Sequence, residues 1–243
     1  MSYERAMVGI AAGAEAAPSP VPAERQQGTP QSLRIQILST EHWGLLSSRS
    51  LAWNESFSRA GMFLSTLSGA IVALALVAQA AAFGDGFTLF ALIILPAVLF
   101  VGISTYLRLG VSNYHDAMCV IGMNRIRAAY LEVAPDLERF FVMSAHDDAR
   151  GVGISMGVPY SAGLPLVHLV AATPMVVTVL NGLVGGAIVA VIAVRSAVPT
   201  PGVVALGVAG FLAVISAHVW DARRNIARVQ AGYKGLFPSP DTK

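Results

Sequence analysis

The run GMFLSTLSGAIVALALVAQAAAF (residues 61–83), the tip Gly84-Asp85-Gly86 and the run FTLFALIILPAVLFVGISTYL (residues 87–107) decide the fold. Neither run holds a charged residue, and each reaches the roughly 20 residues that carry a helix across a hydrocarbon core of about 30 Å. Residues 61–109 therefore read as a two-span membrane hairpin. Pro96 lies inside the second run, where it removes a backbone donor and is expected to kink the helix. Tyr106 and Arg108 close that run in the manner of interfacial residues.

A second pair of spans occupies residues 164–220. Leu164 to Val194 is longer than one crossing needs, with Pro165 and Pro174 near its start, so it either tilts or begins with an interfacial segment up to Pro174. The turn Val198-Pro199-Thr200-Pro201-Gly202 separates it from a last span, about Val203 to Trp220, which ends at Asp221, Arg223, Arg224 and Arg228. Of 243 residues, 55% are hydrophobic and 12% charged, against roughly 25% charged in an average soluble domain. The class is an all-α protein with four transmembrane helices. A net charge of +2, with no dense basic cluster, gives no footprint for nucleic acid. The single Cys119 allows no internal disulfide and reads as a small buried hydrophobe.

Outside the spans the composition changes three times. Residues 1–30, rich in Ala, Pro, Gly and Gln, hold too little large apolar surface to offset the entropy of ordering and are expected to be a disordered tail. Residues 31–60 form an amphipathic helix running into the first span, with Glu55 and Arg59 in the favourable acid-first spacing of four. Trp43 and Trp53 either anchor it at headgroup level or pack it on another helix. Residues 110–163 form a second polar helical region: a continuation of the second span, a break near Pro135, a helix from Asp136 to about Ala145, and a Gly/Pro loop from Gly151 to Gly163. Residues 221–243 form a tail, helical to about Tyr233.

Small residues mark two expected packing faces. Gly61, Ser65, Gly69 and Ala73 recur every fourth position in the first span, and Gly182 and Gly186 do so in the third; such stripes let helices approach closely in lipid. The second span is the expected partner of the first stripe. Polar groups within the spans are few. Gln79 and Asn181 read as interhelical glue, whereas His168 and His218 are candidates for gating or proton handling. Ser65, Ser68, Ser104 and Thr105 are the candidate pore lining. No Asp, Glu, Lys or Arg lies deep in a span, which argues against a pump built on a buried carboxylate.

Catalytic chemistry finds little support. His115-Asp116 and His146-Asp147, with His42, invite comparison with metal-dependent phosphohydrolases, yet five histidines in no ligand spacing make a poor metal set. Gly151 to Gly157 lacks the lysine of a phosphate loop, and no Gly-x-Ser-x-Gly elbow is present. The chain is not read as an enzyme, and neither a metal nor a cofactor is implied.

Orientation follows from Lys and Arg. The segment before the first span, the stretch from Arg108 to the third span and the tail carry five each, while the Asp85 turn has none and the Pro199 turn only Arg195. Both termini are thus expected on the cytoplasmic side of the inner membrane.

Glu41-His42-Trp43-Gly44-Leu45-Leu46 and Trp53-Asn54-Glu55-Ser56-Phe57-Ser58-Arg59-Ala60-Gly61-Met62-Phe63-Leu64 resemble a stretch of uncharacterised multi-pass membrane proteins of actinobacterial type, a family with no activity to carry over. The layout of residues 31–145 is similar to SLATT domains, two-span modules proposed to form pores in nucleotide-controlled defence systems. That similarity implies a pore, and the second pair of spans lies outside it. Two function classes stay open: an oligomeric channel or pore-forming effector with cytoplasmic sensing helices, or a non-conducting scaffold that docks partners. Expected partners are the lipid bilayer, further copies of the chain, and a cytoplasmic protein at residues 31–60.

Overall fold

The computed structural model describes residues 29–157 and 173–240, apart from the side chains of 228–232. Its elements are α1 (Gln31–Ala81), α2 (Asp85–Val133), a 3-10 turn (Pro135–Phe140), α3 (Ala149–Ser155), α4 (Thr173–Arg195) and α5 (Thr200–Gly232). No strand occurs among the described residues, and α1, α2, α4 and α5 are each long and apolar enough to cross a membrane. The chain divides into two units, one ending at Ile37 and the other starting at Leu38. Described residues of the first are exposed and begin α1, with the Arg34 amide donating to Pro30 O at 2.9 Å. The second holds the rest of α1 and all later elements.

At 1.5 Å per residue the 49 residues of α2 span about 73 Å, more than twice the hydrocarbon thickness. One seam organises the whole length. The buried residues Ala91, Leu95, Val98, Gly102, Thr105, Leu109, Ser112, Asp116, Cys119, Met123 and Ile126 alternate in steps of four and three. That is the 3.5-residue repeat of a coiled coil, maintained where the sequence turns from apolar to polar. Pro96 sits on the exposed side, and α2 continues through it as one helix.

α1 supplies the facing seam. Ala60 and Phe63 are buried, and Leu67, Ala70 and Leu74 pack against the core formed by Phe63, Leu95, Val98 and Leu109. Further along, the half-buried Leu38, His42, Leu45, Arg49, Ala52 and Ser56 continue it. The steps from Ala52 to Ser56 and Ser56 to Ala60 are both four, a stutter that locally unwinds a heptad pair. Leu45 meets Gly122, where a Cβ would lie 2.7 Å from Leu45 Cδ1, and Phe63 meets Gly102. The pair is an antiparallel hairpin. Its turn holds Ala82 (φ 44°) and Phe83 (φ 59°) in the left-handed region, which disfavours residues with a Cβ. Thr88 N and Gly84 N find carbonyls at Gly84 and Ala81.

α4 and α5 approach far more closely. A Cβ on Gly186 would lie 2.7 Å from Gly207 O, one on Gly210 3.3 Å from Gly185 O, and one on Gly182 2.9 Å from the Phe211 ring. Only glycine permits backbones to come this near. α4 also packs on α2, placing Val177 and Val184 in the same core as Phe63 and Tyr106. At the far tip, Arg195 Nη1 donates to Asp85 Oδ1 at 2.6 Å, so the two hairpin turns meet.

Several local expectations are corrected. Gly61, Ser65 and Gly69 are exposed and Ala73 half-exposed, and a Cβ on Gly61 or Gly69 would meet nothing within 4 Å. The stripe lies away from α2 because the larger Phe63, Leu67 and Leu74 fill the seam. The helix expected from Asp136 to Ala145 is only the 3-10 turn. Gly151 opens no loop: it belongs to α3, capped by the Asp148 side chain, which accepts from Gly151 N at 2.8 Å. Gly151 is required there by closeness, since a Cβ would overlap the His146 carbonyl. The segment Pro165 to His168 lies outside the described residues.

Candidate functional site

Four polar stations interrupt the apolar packing along α2. The first lies inside the bundle, where α2, α4 and α5 converge. The Tyr106 hydroxyl donates to His218 O at 2.6 Å, and the two rings meet edge to face at 4.1 Å. His218 Nδ1 is 2.8 Å from Val214 O. A carbonyl only accepts, so the ring carries its proton on Nδ1, and Nε2 is left to accept from Asn181 Nδ2 at 3.4 Å. Asn181 is fully buried, and its Oδ1 has no N–H or O–H partner. That oxygen occupies the place a Cβ would take on Gly102, against polarised Cα–H groups, which offset part of its lost hydration. The three side chains of this station are all buried.

The second station crosses between α1 and α2 at the polar end of the spans. Arg108 donates to Glu55 through Nε (2.9 Å) and Nη2 (3.0 Å), and Arg59 Nε donates to the same carboxylate at 2.9 Å. Hydrogen bonds from Arg108, then Arg59, hold the Glu55 carboxyl down to about 2. The third station lies two turns farther along α2. Asp116, almost fully buried in the seam, accepts from Arg49 Nε at 2.6 Å and from Trp53 Nε1 at 3.1 Å. An ion pair set among apolar seam residues fixes the register of two helices. Trp53 is thus packed onto α2 by its indole N–H, whereas Trp43 is 67% exposed.

The fourth station gathers the chain beyond α2. Asn124, fully buried, donates to His146 O at 2.7 Å and accepts from Arg127 (2.7 Å) and from Ser155 Oγ (2.9 Å). Next to it Asp147 is fully buried and accepts four contacts: Arg125 Nε (2.8 Å), Tyr233 Oη (3.0 Å), Leu236 N (2.9 Å) and Phe237 N (2.8 Å). Asp147 N in turn donates to Phe237 O at 3.1 Å. Asp148 takes the Ser239 amide at 2.9 Å and its hydroxyl at 2.8 Å. Residues 233–240 therefore form a strap, held by two adjacent carboxylates on the chain beyond α2. Burial alone would raise the Asp147 carboxyl, but the Leu236 and Phe237 amides, Arg125 and Tyr233 together hold it down to about 2. His42, on α1, is pushed below its ordinary value by burial and by the Arg127 charge.

Among the residues nominated from sequence, Gly182 and Gly186 lie in the α4–α5 contact. Ser65, Ser68 and Ser104 are all exposed and do not converge. Thr105 is buried in the α2 seam, its hydroxyl donating to Val101 O at 2.9 Å. His218 belongs to the first station, and His168 lies outside the described residues. Sequence reasoning missed Gly102, Tyr106, Asp116, Asn124 and Asp147 as positioned groups; the four-three alternation along α2 is the signal that marks the first and third of these. Among the described residues no three His, Cys, Asp or Glu side chains come together as a metal-binding group. No protein-family model, curated protein or solved structure matches the chain.

Proposed function

We propose that the chain assembles into an oligomeric membrane channel, with both termini in the cytoplasm and the α1–α2 coiled coil as its cytoplasmic lever. The supporting observation is the outer face of α1. Gly61, Ser65, Ser68 and Gln79 recur on the side of α1 opposite the Phe63, Leu67 and Leu74 seam, and all four are exposed. A hydroxyl can return to its own helix, as Thr66 does to Met62 O at 2.9 Å, whereas a glutamine amide on the outward face near the end of a span gains from an outside partner. Copies arranged with these faces inward give that amide its partner and line an axis with small polar groups. The pore implied by the layout similarity to SLATT domains agrees with this arrangement.

A test combines size and flux. Purified protein is sized by light scattering, reconstituted in liposomes and assayed for conductance. A defined oligomer that conducts, with Gln79→Leu reducing conductance at least tenfold, is the expected result. A monomer, or conductance indifferent to Gln79 and Ser65, defeats the channel. A silent oligomer favours the scaffold instead, whose supporting feature is the exposed apolar surface of the extramembrane helices, Trp43 and Leu51 each at 67% exposure.

A further inference from the structure

We propose that the cleft between α1 and α2, at the polar end of the spans, binds a phosphate ester, supplied as the headgroup phosphate of an anionic membrane lipid. This rests on reading residues 61–107 as spans, and not on conduction.

The cleft exists because of what the seam lacks. Between the Glu55–Arg108 rung and the Arg49–Asp116 rung the facing residues are Ala52 and Ser112, too short to meet, and the α1 stutter that runs from Ala52 through Ser56 to Ala60 begins there. The result is an opening of about 320 Å³ lined by Ser48, Ala52, Glu55, Arg108, Ser112 and His115, at the lower end of the roughly 300–1,000 Å³ that small-molecule sites occupy. Leu51 and Val111 form an apolar rim.

Its chemistry favours an anion. Ser48, Ser112 and His115 offer donors, and Arg108, although forked onto Glu55 through Nε and Nη2, still has Nη1 to give. Glu55 carries one negative charge against the two positive charges of Arg59 and Arg108, so the rung is net cationic. A second carboxylate-like oxygen group at Arg108 completes its donor set, while Glu55 keeps the guanidinium turned toward the cleft. Depth selects the source. The opening starts at the residue after Leu107 and reaches His115, about 12 Å along α2, overlapping the polar layer that adds roughly 5–8 Å to each side of a bilayer core.

The experiment is native mass spectrometry of the detergent-purified full chain, titrated with phosphatidylglycerol, phosphatidylcholine or free glycerol phosphate. Expected is a phosphatidylglycerol adduct at least tenfold tighter than the phosphatidylcholine one, weakened about tenfold by Arg108→Gln and by Ala52→Leu, which fills the cleft without changing charge. Arg223→Gln, an exposed arginine at the same end of α5, should change nothing. If Ala52→Leu loses its helical circular dichroism, Ser48→Leu takes its place. Glycerol phosphate binding with the same sensitivity to Ala52→Leu supports the site and makes a soluble phosphate sufficient. Adducts that ignore Ala52→Leu, or fall equally with Arg223→Gln, overturn it as mere attraction to surface arginine. Flotation with vesicles separates the two failures: a protein that floats but shows no lipid preference defeats the cleft alone, and one that does not float defeats the spans.

Discussion

The α1–α2 and α4–α5 pairs solve one problem in opposite ways. Both hold two apolar helices together in a solvent as apolar as their own side chains, so neither can rely on hydrophobic burial. α4 and α5 set glycines where they cross: Gly186 lies against Gly207 O, while Gly182 admits Phe211, Gly185 admits Val214 and Gly210 admits Val189, so the backbones come close. α1 and α2 stand farther apart and are spanned by interlocked side chains, a phenylalanine knob in the span and ionic rungs beyond it. The close pair has no room for a side chain at Gly182, Gly185, Gly186 or Gly210. The spaced pair is this tight only where Leu45 meets Gly122 and Phe63 meets Gly102, and it leaves a cleft and a polar outer face.

The contrast between the two pairs is tested most directly at Gly186. Gly186→Val drives a side chain into Gly207 O and should cost about 3 kcal/mol or more, read as thermal unfolding in detergent by circular dichroism, whereas Gly69→Val on the open face should leave monomer stability within about 0.5 kcal/mol. Equal effects would show that α4 and α5 are less closely apposed. Next in size is Arg49→Met. It leaves Asp116 buried with only Trp53 and should cost about 2 kcal/mol, less than for a fully buried pair because Arg49 is partly solvated. Arg49→Met with Asp116→Leu should recover most of the loss, and no recovery would mean the pair does more than satisfy itself.

The strap gives a pH arm. The Asp147 carboxyl is lowered from 3.8 to about 2, so folding favours its ionised form. The stabilisation, about 2 kcal/mol at 1.4 kcal/mol per pH unit, is complete above about pH 4 and fades as pH falls through about 2. Hydrogen exchange of the Leu236 and Phe237 amides should accelerate over that interval relative to α4, and Asp147→Asn should remove the step. The smallest effect is Ala82→Gly: relieving one left-handed residue should stabilise the α1–α2 turn by about 0.5–1 kcal/mol, net of the added freedom of the unfolded chain. A loss instead would show that the turn is not strained.

How far the sequence carries can be judged from these same residues. The four apolar helices and the run of α1 and α2 beyond the spans follow from charge-free length and helical period. Continuity of the α2 seam is harder to see, because Thr105, Ser112 and Asp116 occupy buried positions with polar side chains, so the apolar pattern ends where the heptad does not. Gly61, Ser65 and Gly69 mislead because a small-residue stripe marks a face able to pack closely without naming its partner. The strap leaves almost no trace: its bonds come largely from main-chain amides, which every sequence has, to a carboxylate 89 and 90 residues away.

That separation also has a meaning in time. At roughly 5–20 residues per second of synthesis, the 89 residues between Asp147 and Leu236 take about 4–18 s to appear. During that interval Arg125 is the partner the Asp147 carboxylate already has, and water fills the places that the Leu236 and Phe237 amides take once α4 and α5 have been made.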